Sequence, residues 1–269
     1  MTNSLLKIEN LKKHFPIKRG VFRRSVRAVR AVDDVSFELE SNEILGLVGE
    51  SGSGKSTLAR TAIRLLEPTS GNIYFQGKDF CKLRGRHLRA ARRNVQMVFQ
   101  DPLSSLNPRK TILENVGEAL FYHRFVESRD AQVAAVEKIL KQIGMPLSAL
   151  DQYPHQFSGG QQQRISIGRA IAMEPQLIVC DEAVSALDLS VQAQILNLLY
   201  ELKQRLMLSY LFISHDLSVV RFFCDRILVM YQGKIVESGS AEKVFEDPQH
   251  PYTKQLLSSI PKTTTFRRS

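Results

Sequence analysis

Four short apolar runs recur along the chain, and each one is followed directly by polar residues. They occupy residues 44–48, 95–99, 177–180 and 210–213. Apolar runs of this length are typical of strands that are buried on both faces in a parallel sheet. Open α/β sheets bind ligands beyond the carboxyl ends of their strands. We therefore expect the polar residues after these runs to line one crevice.

Apolar residues spaced three and four positions apart predict amphipathic helices between the strands. One such face is formed by Leu187, Val191, Ile195, Leu198, Leu202 and Leu206. A second is formed by Val133, Val136, Leu140 and Ile143, with Gly144 following where a helix C-cap falls. Residues 103–157 carry few strand signals, which predicts a helical insertion between the second and third core strands.

These patterns predict an α/β fold with a parallel-sheet core and an inserted helical subdomain. Residues 5–11 and 31–39 have β character and predict an N-terminal antiparallel β region. We expect one domain over residues 1–269, with the helical subdomain at 103–157 and a C-terminal extension at 247–269.

Apolar run length, the N-terminal pattern and the cysteine spacing indicate the cellular compartment. No apolar run approaches the roughly 18–20 residues needed to span a bilayer, and the N-terminus lacks the pattern of a secretory signal. Cys81, Cys180 and Cys224 have neither metal-ligand nor disulfide spacing. We therefore expect a reducing, cytosolic compartment.

The net charge of +10 leaves two kinds of acidic partner open, nucleic acid and an anionic membrane surface. Much of the excess lies in residues 18–30 and 82–93. The alternative is that both stretches are solvated faces without a partner. Our hypothesis for residues 18–30 is a basic loop that faces lipid headgroups or membrane subunits.

A complete phosphate-binding motif, G-x-x-x-x-G-K-[ST], follows the first apolar run. It comprises Gly49, Glu50, Ser51, Gly52, Ser53, Gly54, Lys55 and Ser56. The glycines let successive N–H groups converge on phosphate oxygens, and the following helix adds its positive end. In this motif Lys55 reaches the β- and γ-phosphates and Ser56 ligates Mg²⁺. We count Thr57, the next residue, among the nucleotide-binding residues.

Two further stretches carry candidate chemistry. Asp181 and Glu182 end the third apolar run, where the aspartate suits a contact to Mg²⁺ and the glutamate suits a base for water. Ser158, Gly159, Gly160 and Gln161 open a helix and form a second anion-binding N-terminus. Since one phosphate loop serves one nucleotide, this second site makes sense if it serves a nucleotide held by another subunit.

In their order along the chain, these motifs resemble the ATPase domains of ABC transporters, which have a P-loop core. The resemblance covers nearly the whole chain and includes Gln100, residues 158–161, residues 185–188 and His215. It implies that ATP is held between the phosphate loop of one subunit and the signature stretch, residues 158–161, of another. ATP and Mg²⁺ are the implied ligands.

The resemblance also implies roles for single residues. Gln100 matches the glutamine that contacts Mg²⁺ and links the site to the membrane subunits. Glu182 matches the catalytic glutamate, and His215 matches the histidine that contacts the γ-phosphate. Asp188 matches an aspartate at the dimer interface. Phe15 lies where the family often stacks an aromatic ring on adenine, and core packing is the alternative.

Other stretches resemble the oligopeptide/dipeptide importer branch, and most of all the second ATPase subunit of oligopeptide permeases. They lie at residues 15–20, 31–33, 101–109 and 250–253. Ser41 and Asn42 depart from the glycine-containing turn that is usual before the phosphate-loop strand. The branch implies a second ABC ATPase subunit in a heterodimer, two transmembrane permease subunits and, indirectly, a substrate-binding protein, all at the cytoplasmic face of the membrane.

Two alternatives stay open at this point. The cargo is peptide in most of the branch, but nickel, glutathione or antimicrobial peptides fit the same ATPase sequence. The other alternative is a non-transport ABC ATPase that acts on nucleic acid or the ribosome, which the net charge makes worth testing. Such ATPases usually carry two ATPase domains or a long coiled-coil insertion, and neither is visible here, so we expect no nucleic-acid partner.

Overall fold

The computed structural model describes residues 4–19 and 24–258, with side chains described for residues 4–16 and 28–258. The chain divides into two compact units. The first unit comprises Met1–Arg89 and Leu211–Ser269, and the second comprises Ala90–Tyr210.

The strands alternate with helices over most of the chain, and the predicted α/β class is confirmed. The strands are β1 (Ser4–Arg19), β2 (Arg24–Glu40), β3 (Ile44–Val48), β4 (Ser70–Phe75), β5 (Lys78–Asp79), β6 (Val95–Val98), β7 (Leu177–Asp181), β8 (Ser209–Ile213), β9 (Arg226–Tyr231) and β10 (Lys234–Ser240). The helices are α1 (Lys55–Ala62), α2 (Gly85–Arg93), α3 (Pro102–Ser105), α4 (Ile112–Tyr122), α5 (Arg129–Gln142), α6 (Gly159–Ile171), α7 (Leu189–Leu206), α8 (Leu217–Phe223), α9 (Ala241–Glu246) and α10 (Pro251–Ser258). Among the described residues, no helix is both long and apolar enough to cross a bilayer.

The N-terminal β region of the first unit is an antiparallel sheet in the order β2-β1-β4-β5. Leu6, Ile8 and Leu11 of β1 and Val32, Val35 and Leu39 of β2 are buried. The apolar side chains therefore give this sheet a core face, as the β character of residues 5–11 and 31–39 predicts.

β1 and β2 extend further than the sequence predicts. Phe15 pairs with Val29, and Lys18 pairs with Ser25. The prediction of a basic loop over residues 18–30 is therefore wrong for residues 18, 19 and 24–30. Paired antiparallel strands satisfy each other's N–H and C=O groups whatever charge the side chains carry. Residues 20–23 and the side chains of 17–19 and 24–27 lie outside the described part, so the lipid-headgroup hypothesis stays a prediction.

A second group of strands in the first unit supports the phosphate loop. All five residues of β3 are buried, and β3 pairs in parallel with β9. β9 and β10 form a hairpin through Gln232 and Gly233, whose φ angles of 46° and 82° suit a two-residue turn. The apolar run at 227–230 followed by Tyr-Gln-Gly is the sequence signal for this hairpin.

Asn42 explains the unusual turn before β3. Its φ is 60°, a left-handed conformation that asparagine adopts more readily than most residues. Asn42 thus supplies the backbone geometry that a glycine provides in the usual form of this turn.

The second unit contains the predicted strands β6 and β7, which pair in parallel from Val95 and Leu177 to Val98 and Cys180. The chain between β6 and α6 is helical, as predicted, and its helix starts are capped. Thr111 and Glu114 form a capping box on α4, and Ser128 caps α5. Gly144, with φ of 68°, follows α5 as its left-handed terminator. The bounds of a separate helical subdomain remain a prediction.

Candidate functional site

The phosphate loop lies in the first unit, between the end of β3 and the start of α1. Gly49 and Gly54 have φ angles of 150° and 109°, which residues with side chains rarely adopt. A Cβ at Gly49 would collide with the carbonyl oxygen of Met230, and one at Gly54 with that of Ala31. Glycine is therefore required here because neighbouring backbone lies against the loop.

Lys55 is buried at the start of α1 with its charge turned into the loop. The Nζ atom donates to the carbonyl oxygens of Gly49 at 2.7 Å and Glu50 at 2.8 Å. These bonds hold the ammonium group at the loop, next to the positive end of α1. The two positive charges together favour binding of a phosphate group.

The β9–β10 hairpin is hydrogen-bonded to the middle of the phosphate loop. The N–H of Gly233 donates to the carbonyl oxygen of Ser53 at 2.9 Å, and the Ser53 N–H donates to that of Glu50 at 3.2 Å. The Ser53 hydroxyl is buried and has no hydrogen-bond partner among the described residues. A buried hydroxyl of this kind fits a phosphate oxygen of a bound nucleotide, since buried polar groups are normally hydrogen-bonded.

Glu182 and Gln100 are brought together in the second unit. Gln100 Nε2 donates to a carboxylate oxygen of Glu182 at 3.0 Å. Asp181 is 3% exposed at the end of β7, whereas the Gln100 side chain is exposed. With its amide nitrogen on Glu182, Gln100 keeps its amide oxygen as an acceptor, and this oxygen and the Asp181 carboxylate are ligand types that Mg²⁺ prefers.

Glu182 adopts an uncommon backbone conformation. Its φ is 51°, and its carbonyl oxygen accepts from Ser185 N at 3.2 Å and Ser185 Oγ at 2.9 Å. A left-handed non-glycine residue costs about 1–3 kcal/mol and persists where its surroundings hold it. The chain therefore turns sharply after β7, and this turn sets the position of the Glu182 carboxylate.

The signature stretch starts α6. Ser158 and Gln161 form a capping box, in which Ser158 N donates to Gln161 Oε1 at 3.0 Å and Gln161 N to Ser158 Oγ at 3.4 Å. The box leaves the N–H groups of Gly159 and Gly160 at the helix start to bind an acceptor outside the helix. A Cβ at Gly160 would collide with Val191 of α7. The glycine thus brings two helix starts into contact.

Asp188 caps the second of these helix starts. Its carboxylate accepts from Ser190 Oγ at 2.7 Å and Val191 N at 2.9 Å. The hydroxyl of Ser190, followed by the Val191 amide, lowers the pKa of Asp188. The side chain therefore has a helix-capping role beside the interface role that the resemblance implies.

Ser166 and Arg169 of α6, which the sequence alone does not mark as functional, link this helix to the segment after Gln100. Arg169 of α6 donates to the carbonyl oxygen of Ser105, and the hydroxyls of Ser105 and Ser166 lie 3.3 Å apart. Arg169 is largely buried, and desolvation lowers its pKa. The sequence carries no signal for this link, because an arginine in a helix is usually solvent-exposed.

The remaining candidates lie in the first unit. His215 is exposed beyond β8, next to Asp216, which caps α8 through Ser218 N at 2.9 Å. Phe15 is 39% exposed, and Lys13 Nζ lies 5.0 Å from its ring centroid. An exposed ring suits stacking better than the core-packing alternative. The candidate residues are thus divided between the two units. The first unit contains the phosphate loop, Phe15 and His215. The second unit contains Gln100, Asp181, Glu182, Asp188 and the signature stretch.

Comparison with known proteins shows which family the chain resembles. Residues 32–185 match the family described as ABC transporter, and residues 236–268 match "Oligopeptide/dipeptide transporter, C-terminal region". The chain is 51% identical over 97% of its length to the oligopeptide transport ATP-binding protein AppF of Bacillus subtilis, covering 79% of that protein. It is 48% identical over 99% of its length to OppF of Lactococcus lactis, covering 83% of it.

Solved structures agree with the fold. The dimeric ATP-binding cassette MJ0796, bound to ADP and Pi, aligns with a TM-score of 0.77 at 30% identity, covering 88% of this chain and 98% of that one. The protein cbiO1 from Clostridium perfringens aligns with a TM-score of 0.77 at 26% identity, covering 91% and 92%.

The family match, the relatives and the fold identify an ABC-type ATPase, and the predicted ATP-hydrolysing activity is confirmed. The chain belongs to the ABC transporter family, as an ATP-binding protein of its oligopeptide/dipeptide branch.

Proposed function

We propose that this protein energises the import of oligopeptides or dipeptides through separate membrane subunits. Support comes from relatives that are named oligopeptide transport ATP-binding proteins and are about half identical over nearly the whole chain. The match at residues 236–268 to the oligopeptide/dipeptide C-terminal region adds to this. Nickel, glutathione or antimicrobial peptides are the alternative cargoes. The rival function on nucleic acid or the ribosome is not favoured by any of these relatives.

ATP binding is assigned to the phosphate loop. Lys55 and N–H groups of the phosphate loop and of the start of α1 hold the phosphates, and Ser51, Gly52 and Thr57 are among the residues that supply them. Phe15 stacks on the adenine. Ser56, Asp181 and Gln100 provide hydroxyl, carboxylate and amide oxygens for Mg²⁺, which when bound neutralises charge on the phosphates.

Hydrolysis is assigned to Glu182, His215 and Gln100. Glu182 polarises the attacking water as a general base, a contribution of about 10²–10⁴-fold in rate. The observation that carries this role is the hydrogen bond from Gln100, which fixes a carboxylate oxygen of Glu182 and so orients the carboxylate. His215 donates to the γ-phosphate.

The signature stretch is assigned to the nucleotide of a partner. Gly159 and Gly160 present N–H groups, and Ser158, Gln161 and Asp188 shape the surface around them. The dimeric form of MJ0796 supports such an arrangement. We propose a heterodimer with a second ABC ATPase subunit, two permease subunits and, indirectly, a substrate-binding protein, at the cytoplasmic face of the membrane.

Reconstitution tests the whole proposal. The protein is assembled in proteoliposomes with its co-purifying membrane subunits, second ATPase and binding protein. We expect ATP-dependent uptake of labelled di- to pentapeptides, and its loss with Glu182→Gln. ATP hydrolysis without peptide uptake, together with uptake of nickel or glutathione, would reject peptides as the cargo.

A further inference from the structure

The peptide unit that joins Gly49 and Glu50 is held at both ends. Its carbonyl oxygen accepts from Lys55 Nζ at 2.7 Å, and its N–H donates to the Tyr252 hydroxyl at 2.9 Å. In a trans peptide the C=O and N–H point in opposite directions. The two hydrogen bonds together therefore set the rotation of this peptide plane.

Tyr252 is itself well fixed. It is 6% exposed, and its ring centroid lies 4.2 Å from that of Tyr231 at the end of β9. Burial raises the pKa of Tyr252, so its hydroxyl stays neutral at physiological pH. A rigid ring of this kind holds its hydroxyl at one point in space.

The helix that carries Tyr252 is anchored to β10. The carboxylate of Glu237 accepts from Gln249 N at 2.7 Å and from His250 N at 3.0 Å. His250 Nδ1 in turn accepts from Tyr252 N at 3.2 Å. These bonds satisfy N–H groups at the start of α10, which otherwise lack partners within the helix.

We propose that Tyr252 is a positioning residue of the phosphate loop. By fixing the Gly49–Glu50 peptide, it fixes the carbonyl that holds the Lys55 ammonium group where phosphates bind. The proposal rests on the nucleotide-binding role assigned above to Lys55. Tyr252 lies outside residues 32–185, which match the ABC transporter family, and inside residues 236–268, which match the oligopeptide/dipeptide C-terminal region. The C-terminal region thus contributes to the nucleotide site.

Loss of the hydroxyl has a defined consequence. The Glu50 N–H loses its acceptor, and only the bond from Lys55 then restrains the peptide plane, so the Gly49 carbonyl is held less firmly against Lys55. One such hydrogen bond corresponds to about a 5- to 30-fold change in affinity. The effect falls on binding, because the hydroxyl contacts the backbone of the loop and is not assigned to the hydrolysis step.

Tyr252→Phe in the full-length protein tests this, with Tyr231→Phe as the matched control. The Tyr231 hydroxyl accepts from Gln232 Nε2 at 3.1 Å, so its removal keeps both rings and leaves the Glu50 bond in place. We expect Tyr252→Phe to raise the Kd and the KM for ATP about 5- to 30-fold, with kcat within about 2-fold of wild type. Tyr231→Phe should match wild type, and a single cooperative thermal transition without nucleotide should show that both variants are folded.

Amide hydrogen exchange provides a second measurement on the same variants. The Glu50 amide should exchange about 10-fold faster in Tyr252→Phe and at the wild-type rate in Tyr231→Phe. Wild-type affinity and wild-type exchange in folded Tyr252→Phe would overturn the proposal. Equal losses in both variants would also overturn it, since the Tyr231 hydroxyl does not contact Glu50 and the effect would then not come from the Glu50 hydrogen bond. Failure of the wild type to bind ATP, or normal binding by Lys55→Ala, would instead refute the proposed function.

Discussion

Gln100 Nε2 lies 3.0 Å from a carboxylate oxygen of Glu182, although 82 residues separate the two in sequence. The contact joins the residue proposed to report on the membrane subunits to the residue proposed to activate water. A movement of the segment after β6 therefore changes the hydrogen bonding of the catalytic carboxylate, and this provides a physical route for coupling.

Glu182→Gln separates nucleotide binding from chemistry. The amide keeps the size of the side chain but removes the negative charge that polarises water, so hydrolysis should fall about 10²–10⁴-fold. ATP affinity should stay near that of the wild type, because Lys55 and the loop amides are unchanged. Gel filtration with ATP should show an accumulated dimer, with the partner ATPase or with itself at high concentration. Normal phosphate release at this site would contradict the assignment of the base.

Ser158→Arg should block dimer closure and leave ATP binding by the phosphate loop intact. The variant places bulk and charge where the partner's nucleotide is proposed to lie. It also removes an N-cap, which costs about 1 kcal/mol of stability. Ser128→Arg is the matched control, because Ser128 caps α5 in the same way, through Ala131 N at 3.1 Å. If both variants dimerise with ATP as wild type does, the composite site is wrong.

Gly160→Ala should destabilise the contact between the starts of α6 and α7. The added methyl group collides with Val191 Cγ1, and overpacking of this kind costs about 1–3 kcal/mol. Thermal unfolding measures the loss, and Val191→Ala should restore most of it by removing the colliding group. A double variant as unstable as Gly160→Ala alone would show that another contact requires the glycine.

Introducing a charge at Leu103 tests the coupling route. Leu103 is 43% exposed in α3, three residues after Gln100, and we expect this surface to receive the membrane subunits. Leu103→Glu should reduce peptide uptake and substrate-stimulated ATPase activity of the assembled transporter, with ATP binding unchanged. Leu147→Glu is a control of similar exposure, at 39%. Loss of ATP binding in Leu103→Glu, with assembly intact, would reject this placement.

Much of the fold is predictable from short-range patterns. The four apolar runs are strands, because a continuous apolar run is stable only when both faces are buried. The periodic segments are helices apart from Leu187, which precedes α7. Gly144 ends α5, because only a few residues adopt positive φ at low cost. The basic stretch at 18–30 shows where such reasoning fails, because strand pairing there depends on the backbone of β2 opposite β1 and not on the local charge.

The chemistry of the site was determined in part by the sequence alone and in part by the tertiary structure. Residues 49–56 are contiguous, so their spacing already specifies a turn of N–H groups with a lysine behind it. Nothing local specifies that the Glu50 N–H donates to Tyr252, which is 202 residues away, or that Arg169 donates to Ser105. Contacts of this kind exist only once strands and helices have packed, because packing decides which distant side chains reach an unsatisfied backbone group.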